Sequence, residues 1–471
     1  MKERSHHALY FATPFTLFLW TNGASRQTIE ALHKCGLSIS FPSLTNLLHQ
    51  LAAKSLERAS QVARHPHILC WDNINIKTSI FVEQRDFAPA KVQSGTFAIL
   101  YEVKANPVDL RLSPMLARAQ QASDLVFNTD VRPTSKQQKF FHSQIRIHVI
   151  DILLKYSKPF EGFDRSEDPC LRHPERQKMP KGHCTKQYPL RTSTLDESSV
   201  SGNIAVVNDV YINQLKLTHE QLVDQAVPSI NDQSTNARIR SAKALRTKDI
   251  NPFTQLQFLQ LGFGLFHLCM NLIWALLHVH RGSIQQVGSL SYFFSLLDRS
   301  RLGCEHPDYH TLLSTLFQIL HGVILDAWRV ECGHPSLAAF ALSNPSIDEL
   351  LRVADKIIKN HASLPCPSPK LTSKQKKSGA ASNTTGQQPC DKAHHNLCLL
   401  TRDLLYVLEL TEAIPNGDFG RVEDILGSLA MIFRGAGSNN YSSEILHWIY
   451  NLKNVWTPQF RQAKFHFYFL D

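Results

Sequence analysis

The chain has no cysteine pair at C-x-x-C spacing, although ten cysteines are scattered through its 471 residues. That absence removes the paired-thiolate frame of most structural zinc sites. In a chain of this length it fits reduced thiols better than a disulfide scaffold. There is no G-x-x-x-x-G-K-[ST], G-x-G-x-x-G, G-x-S-x-G or H-E-x-x-H segment. P-loop, dinucleotide-binding, nucleophile-elbow and zincin chemistries therefore have no motif to rest on. The apolar stretch 9–20 is interrupted by Pro14, and no small-residue cleavage site follows it. This predicts a protein that is not secreted, placed in the nucleus or cytoplasm. No internal repeat is found.

What is present is a globular composition, with 43% apolar and 19% charged residues. A chain this long predicts two or three structural units. The formal net charge of +10 suits an anionic partner, nucleic acid before membrane. One apolar run, residues 256–279, is long enough to cross a bilayer. Gln257, Gln260, His267, Asn271 and His278 lie inside it, and Gly262-Phe-Gly264 breaks it. A strand at 264–268 feeding a buried helix at 269–280 explains the run, and no membrane partner is expected.

Residues 1–62 read as an N-terminal helical hairpin, with Ser25 capping the first helix, Gly36 ending it and Pro42 opening the second. Residues 63–288 read as an α/β core. Its strands are expected at 67–71, 78–82, 95–103, 204–212 and 226–230, with a helix at 141–156 and a polar loop at 157–194. Residues 289–435 read as a helical insertion with helices at 290–297, 309–331, 347–361, 397–413 and 422–433. A Pro-, Lys- and Ser-rich flexible linker over 364–396 interrupts it. Residues 436–458 return a core helix at 441–451, and 459–471 form a divergent tail.

Two polar islands carry the chemistry: Trp71-Asp72-Asn73-Ile74-Asn75 and Asn231-Asp232-Gln233-Ser234-Thr235-Asn236. Each follows an apolar run that reads as a buried strand. A carboxylate at the end of such a strand is costly unless it is solvated, hydrogen-bonded or bound to a cation. Asp-Asn pairs are also common turn formers. The order of strand-borne acid, strands, helix, strand-borne acid and a later acidic helix is that of ribonuclease-H-like nucleotidyl transferases. The fold class expected is therefore α/β plus a large all-helical part, a ribonuclease-H-like mixed sheet with a helical insertion before the last helix.

Two divalent ions about 4 Å apart activate the attacking oxygen and stabilise the leaving one in such enzymes. Mg2+ prefers a few carboxylates with waters and phosphate oxygens. Asp72 and Asp232 are the expected strand-end ligands, and Glu444 the third catalytic acid, with Glu331 and Glu423 as alternatives. Arg238, Arg240, Lys243 and Arg246 follow Asp232 and are expected to neutralise DNA phosphates. Three histidine–cysteine sets, Cys170/His173/His183/Cys184, Cys304/His306/His310 and His267/Cys269, lack paired spacing, and zinc is not expected. The Arg434-Gly-Ala-Gly-Ser-Asn-Asn440 loop suits a close approach to phosphate or plain loop geometry.

Several longer stretches carry a family resemblance. They are Leu17-Phe-Leu-Trp-Thr-Asn-Gly-Ala-Ser-Arg-Gln27, Cys70-Trp-Asp-Asn73, Pro228-Ser-Ile-Asn-Asp-Gln233, Gly262-Phe-Gly-Leu-Phe-His-Leu-Cys-Met-Asn271, Arg301-Leu-Gly-Cys-Glu-His-Pro-Asp-Tyr-His310 and Arg434-Gly-Ala-Gly-Ser-Asn-Asn-Tyr441. On these the chain resembles an uncharacterised, largely basidiomycete fungal family, domain of unknown function 6589, over residues 15–458. The resemblance implies no activity. It implies descent from mobile elements, which agrees with the acid order. The reading is a transposase-derived DNA-binding protein with Mg2+-dependent phosphodiester cleavage or strand transfer. The alternative is a non-catalytic, decayed or truncated, nucleic-acid- or protein-binding member of the same family.

Overall fold

The computed structural model describes residues 9–77, 92–163, 168–363 and 391–465. The expected strand at 78–82 and most of the linker at 364–396 lie outside the described residues. The chain divides into two compact units: Met1–Leu112 with Cys184–Leu261, and Ser113–His183 with Gly262–Asp471.

The first unit opens with three helices, Ala12–Thr21, Arg26–Lys34 and Phe41–Val62, where the sequence suggested a hairpin of two. The apolar stretch at 9–20 is the extra helix. Its Pro14 falls in the first turn, where a missing N–H leaves no bond unmade. Ser25 and Ser40 accept from the Thr28 and Ser43 amides. Such caps are each worth about 1 kcal/mol. Ala12, Ile29, Ile39 and Leu44 close a small core between the three helices.

Five strands form one mixed sheet: β1 His67–Lys77, β2 Val92–Glu102, β3 Gln187–Pro189, β4 Val227–Asn231 and β5 Leu259–Phe263. Their order is β3-β2-β1-β4-β5. β1 and β2 run antiparallel over their full lengths, with His67 opposite Glu102 and Lys77 opposite Val92. β2 and β3 are antiparallel, whereas β1 and β4 are parallel. His67, Ile68 and Leu69 are successive and all fully buried, the sign of a central strand covered on both faces.

Three expected strands are corrected. Residues 204–212 are helical: Val200–Asn208 is an α-helix that widens into a π-turn over Asp209–Gln214. Their β-branched density reads as strand, but Ser199 caps the segment by accepting from the Gly202 amide, and tertiary packing overrides propensity. The strand placed at 264–268 is β5, five residues earlier, and Gly264 instead precedes the helix Leu265–His280. The apolar run 256–279 is thereby split between a strand and a 16-residue helix. The strand read at 67–71 continues to Lys77, so Asp72 stands mid-strand opposite Phe97, not at a strand end. The polar loop at 157–194 also delivers an element it was not expected to hold, the edge strand β3.

The second unit is helical. Tyr309–Glu331 and Ile347–His361 have the bounds their apolar periodicity predicts. Ser135–Tyr156 starts earlier than expected, because Thr134 and Gln137 form a reciprocal capping box. Lys392–Ala413 takes in the last residues of the expected linker, and Pro458–Phe465 orders the start of the expected tail around a fully buried Phe460. Phe419–Gly435 and Asn439–Tyr450 pack the Phe419 ring and Trp448 at 5.8 Å, and Trp448 meets Trp456 at 4.6 Å.

Charge is buried in this unit as well. The Arg421 Nε and Nη2 donate to the two oxygens of Glu409 at 2.8 and 2.7 Å, and both side chains are almost fully buried. Removing one partner of such a pair strands the other without water. Arg421→Ala should therefore lower the unfolding free energy by about 3–5 kcal/mol, read from urea denaturation. A loss below about 1 kcal/mol, the scale of an exposed pair, would contradict this.

Candidate metal centre

The two polar islands meet in the first unit through buried asparagines. The Trp71 amide of β1 donates to Asn231 Oδ1 at 3.3 Å. Asn231 Nδ2 in turn donates to Ser229 Oγ and Asn236 Oδ1, tying the end of β4 to the helix Gln233–Leu245. The Trp71 indole Nε1 donates to Asn203 Oδ1 at 3.2 Å. Asn203 Nδ2 then donates to the carbonyls of Glu197 and Ser199 at 2.6 and 2.9 Å. One buried amide therefore fixes the turn before the helix Val200–Asn208 against β1.

That turn presents Glu197, an acid the sequence reading did not single out. Its side chain is buried, and Thr235 donates its hydroxyl to Oε2 at 3.3 Å. Burial pushes its carboxyl up from the usual range to about 7, and the charges of Asp72 and Asp232 add to the rise. Arg238 acts in the opposite sense. Asp72, Glu197 and Asp232 thus share one electrostatic neighbourhood. Asp72 is exposed, and its Oδ1 accepts from the Asn73 amide at 2.8 Å. Asp232 caps the helix Gln233–Leu245, with Oδ1 accepting from the Thr235 amide at 2.6 Å. Three carboxylates beside a helix N-terminus and one guanidinium are hard oxygen donors of the kind Mg2+ takes.

A signal for Glu197 was present in the chain. Asp196-Glu197-Ser198-Ser199 stands directly before an apolar helical segment, and Ser199 is its cap. The close approach also needs a glycine. A Cβ on Gly202 would overlap the Asp196 carbonyl oxygen.

Glu444 lies in the other unit, buried in the helix Asn439–Tyr450. Glu331 and Glu423 are in that second unit too. Glu331 accepts from Asn360 and pairs with His361, and the Asn360 bond holds its carboxyl low. Glu423 is pushed up to about 7 by burial and faces Arg461 at 3.8 Å.

The basic segment after Asp232 is less uniform than its sequence. Lys243 turns its ammonium inward and donates to the Leu259 carbonyl of β5. Burial, with Arg240 nearby, lowers its pKa to about 7, so Lys243 is removed from the expected phosphate-binding face. Arg246 is paired with Asp249 at 2.6 Å. Arg238 stands close enough to Glu197 to stabilise its charge, and Arg240 is half-buried on the same helix.

The histidine–cysteine sets do not assemble. Cys170 and Cys304 are exposed free thiols, and the eight described cysteines are all free. Among the described residues, the group of three possible ligands with atoms within 4.8 Å of one another is His148, His173 and Glu409 of the second unit.

The Glu197 carboxyl yields a pH prediction. The folded chain holds this proton more tightly than the unfolded chain, whose carboxyl titrates near 4.5. Its contribution to stability is therefore fully present below about 4.5 and is lost as pH rises to about 7. In metal-free protein, Glu197→Gln should flatten the fall in the urea midpoint between pH 5 and pH 8. An identical fall in the variant would assign it to other groups.

No curated protein matches the chain. No solved structure matches it either. Residues 120–470 match a family described as a family of unknown function, DUF6589. The match includes Glu197, Asp232 and Glu444 and runs almost to the end of the expected divergent tail. It starts after β1 and β2, so Asp72 and the segments 17–27 and 70–73 precede it. The match covers more than half of the sequence, and the chain belongs to this family of unknown function, DUF6589.

Proposed function

We propose that the first unit is a ribonuclease-H-like core that binds DNA and cleaves or transfers phosphodiester strands with Mg2+ held by Asp72, Glu197 and Asp232. One observation carries the proposal: two acids from separate segments, Asp72 and Asp232, both act through their charge on the carboxyl of a third, Glu197. The strand order β3-β2-β1-β4-β5, with an antiparallel β1–β2–β3 meander and β4 parallel to β1, supports the fold assignment. A transposase-derived origin is consistent with that arrangement.

The residues of this chain have separate tasks in such a reaction. Asp72 offers a solvent-facing carboxylate, and Asp232 commits one oxygen to its helix cap. Glu197 is an acid whose charge depends on a cation being near, since its burial and its neighbours favour the protonated form. Bound Mg2+ supplies activation of the attacking oxygen and stabilisation of the leaving one. Arg238 and Arg240, on the helix that Asp232 caps, are the residues of the basic segment assigned to phosphate in this reading.

A second reading is a non-catalytic nucleic-acid-binding protein of the same fold. It is favoured by the spacing of the acids, which do not form a group with ligand atoms all within 4.8 Å among the described residues.

Substitution separates these readings. Asp72→Asn should abolish Mg2+-dependent cleavage of a DNA duplex and leave DNA affinity almost unchanged. Wild-type protein that binds DNA without cleaving it in Mg2+ or Mn2+ would leave the binding reading alone. Glu197→Gln and Glu444→Gln distinguish the two candidates for a third acid, because only the true ligand should lower cleavage by orders of magnitude. Arg238→Ala with Arg240→Ala should reduce the salt dependence of binding by about one phosphate equivalent per residue. An unchanged slope would remove both from the interface.

A further inference from the structure

The two sides of the helix Ala12–Thr21 differ in what covers them. Thr16 is fully buried, donates its hydroxyl to the Ala12 carbonyl at 2.6 Å and accepts from the Ile39 amide at 2.9 Å. Ala12 joins Ile29, Ile39 and Leu44 in the small core, and Leu9 and Leu17 pack against it. These contacts fix the rotation of the helix. The opposite side carries Phe11, Phe15 and Phe18, whose spacing of four and three residues makes one stripe. The Phe15 amide donates to the Phe11 carbonyl at 3.1 Å, and the two rings stack with centroids 5.3 Å apart. Phe11 is 63% exposed and Phe18 61%. Tyr10 at one end is 96% exposed, and Trp20 at the other 45%.

Single exposed apolar side chains are ordinary, but a contiguous apolar stripe marks a surface that meets a partner. Charge narrows the choice. Residues 8–25 contain no Asp, Glu, Lys, Arg or His. The sequence on either side is basic: the first 65 residues hold seven Lys or Arg against three Glu. Arg26 and Lys34 of the next helix are exposed, whereas Glu30 accepts from the Phe41 amide at 3.1 Å. An apolar stripe flanked by cations fits a partner that is anionic at its surface and apolar beneath. A lipid leaflet with acidic headgroups has that profile. A second copy of the chain fits less well, because it would bring the same cations together. A helix about 15 Å long also falls short of the roughly 800 Å2 per partner that a stable pair of proteins buries.

We propose that the helix Ala12–Thr21 anchors the chain to an anionic lipid surface, with Phe11, Phe15 and Phe18 turned toward the acyl chains. Tyr10 and Trp20 stand at its two ends, where amphipathic rings prefer the headgroup level. The helix has 10 residues, half of the about 20 needed to span a bilayer, so it lies in the interface. One such helix gives reversible binding, strengthened by the flanking cations and weakened by salt. The anchor uses none of the acids or arginines assigned to phosphodiester chemistry, and it stands or falls apart from that reading.

The test is flotation of the full-length chain with purified vesicles at low salt. The chain should float with phosphatidylcholine–phosphatidylserine vesicles, less with phosphatidylcholine alone, and less again as salt rises. Phe11→Ser with Phe18→Ser should weaken binding about 10-fold or more. Its unfolding midpoint should stay close to wild type, because both rings are exposed. Phe11→Leu with Phe18→Leu keeps the stripe apolar and should keep most of the binding. Wild type that stays with the soluble fraction overturns the proposal. Flotation undiminished in the serine variant also overturns it, by assigning the binding to basic charge elsewhere. A vesicle-free dimer in light scattering that the serine substitutions dissociate would give the stripe to a second copy instead. Vesicles brominated on their acyl chains test the placement without touching the phenylalanines. They should quench part of the tryptophan emission, and Trp20→Phe should remove that part. Quenching unchanged in Trp20→Phe overturns the placement.

Discussion

The first unit depends on a buried asparagine that answers three backbone or ring groups at once. Asn203 accepts from the Trp71 indole and donates to the Glu197 and Ser199 carbonyls. A buried polar group is costly unless it is bonded, and one that is fully bonded fixes geometry as an apolar contact does not. Together with the Thr235–Glu197 bond and the Thr96–Leu195 bond, it sets the height of the Glu197 turn on the sheet. Asn231 does the same for β4 and the following helix. The acids gather because neutral amides behind them are satisfied, and the repulsion among the acids is borne by that frame.

The second unit handles buried charge differently. Arg421 and Glu409 cancel each other inside the helical packing, and Arg176 does the same for Asp424 with bonds of 2.6 and 3.2 Å. Asp418 accepts from the Arg176 and Gln177 amides at 2.8 Å each. His280 joins Asp403 at 2.9 Å. Paired charges of opposite sign make a rigid interior with little appetite for an ion.

Legibility in the sequence followed the physics of each element. Long amphipathic helices such as Ile347–His361 were readable to the residue, because one apolar stripe and a Ser346 cap define them. The strand bearing Asp72 and the strand that ends just before Asp232 were readable from apolar runs followed by polar clusters. The segment 204–212 was not, since valine and isoleucine serve a buried helix as well as a strand and only the Ser199 cap decides. Glu197 was hidden because its carboxyl is brought to Asp72 by a turn, and turns carry no periodicity. Lys243 was misjudged for a related reason: a sequence gives the charge of a lysine but not the direction of its stem. His148 and Glu409 lie 261 positions apart, and no spacing rule reaches that far.

The strand order has a consequence for how the protein can be divided. β3, β4 and β5 all fall within residues 120–470, yet β2 and β1 stand between β3 and β4. A polypeptide beginning at residue 120 would keep two separated pieces of a sheet and lack the two strands that join them. The unmatched N-terminal portion is thus an internal wall of the fold, contributed from one end of the chain, and a boundary drawn by sequence similarity alone would cut through its centre.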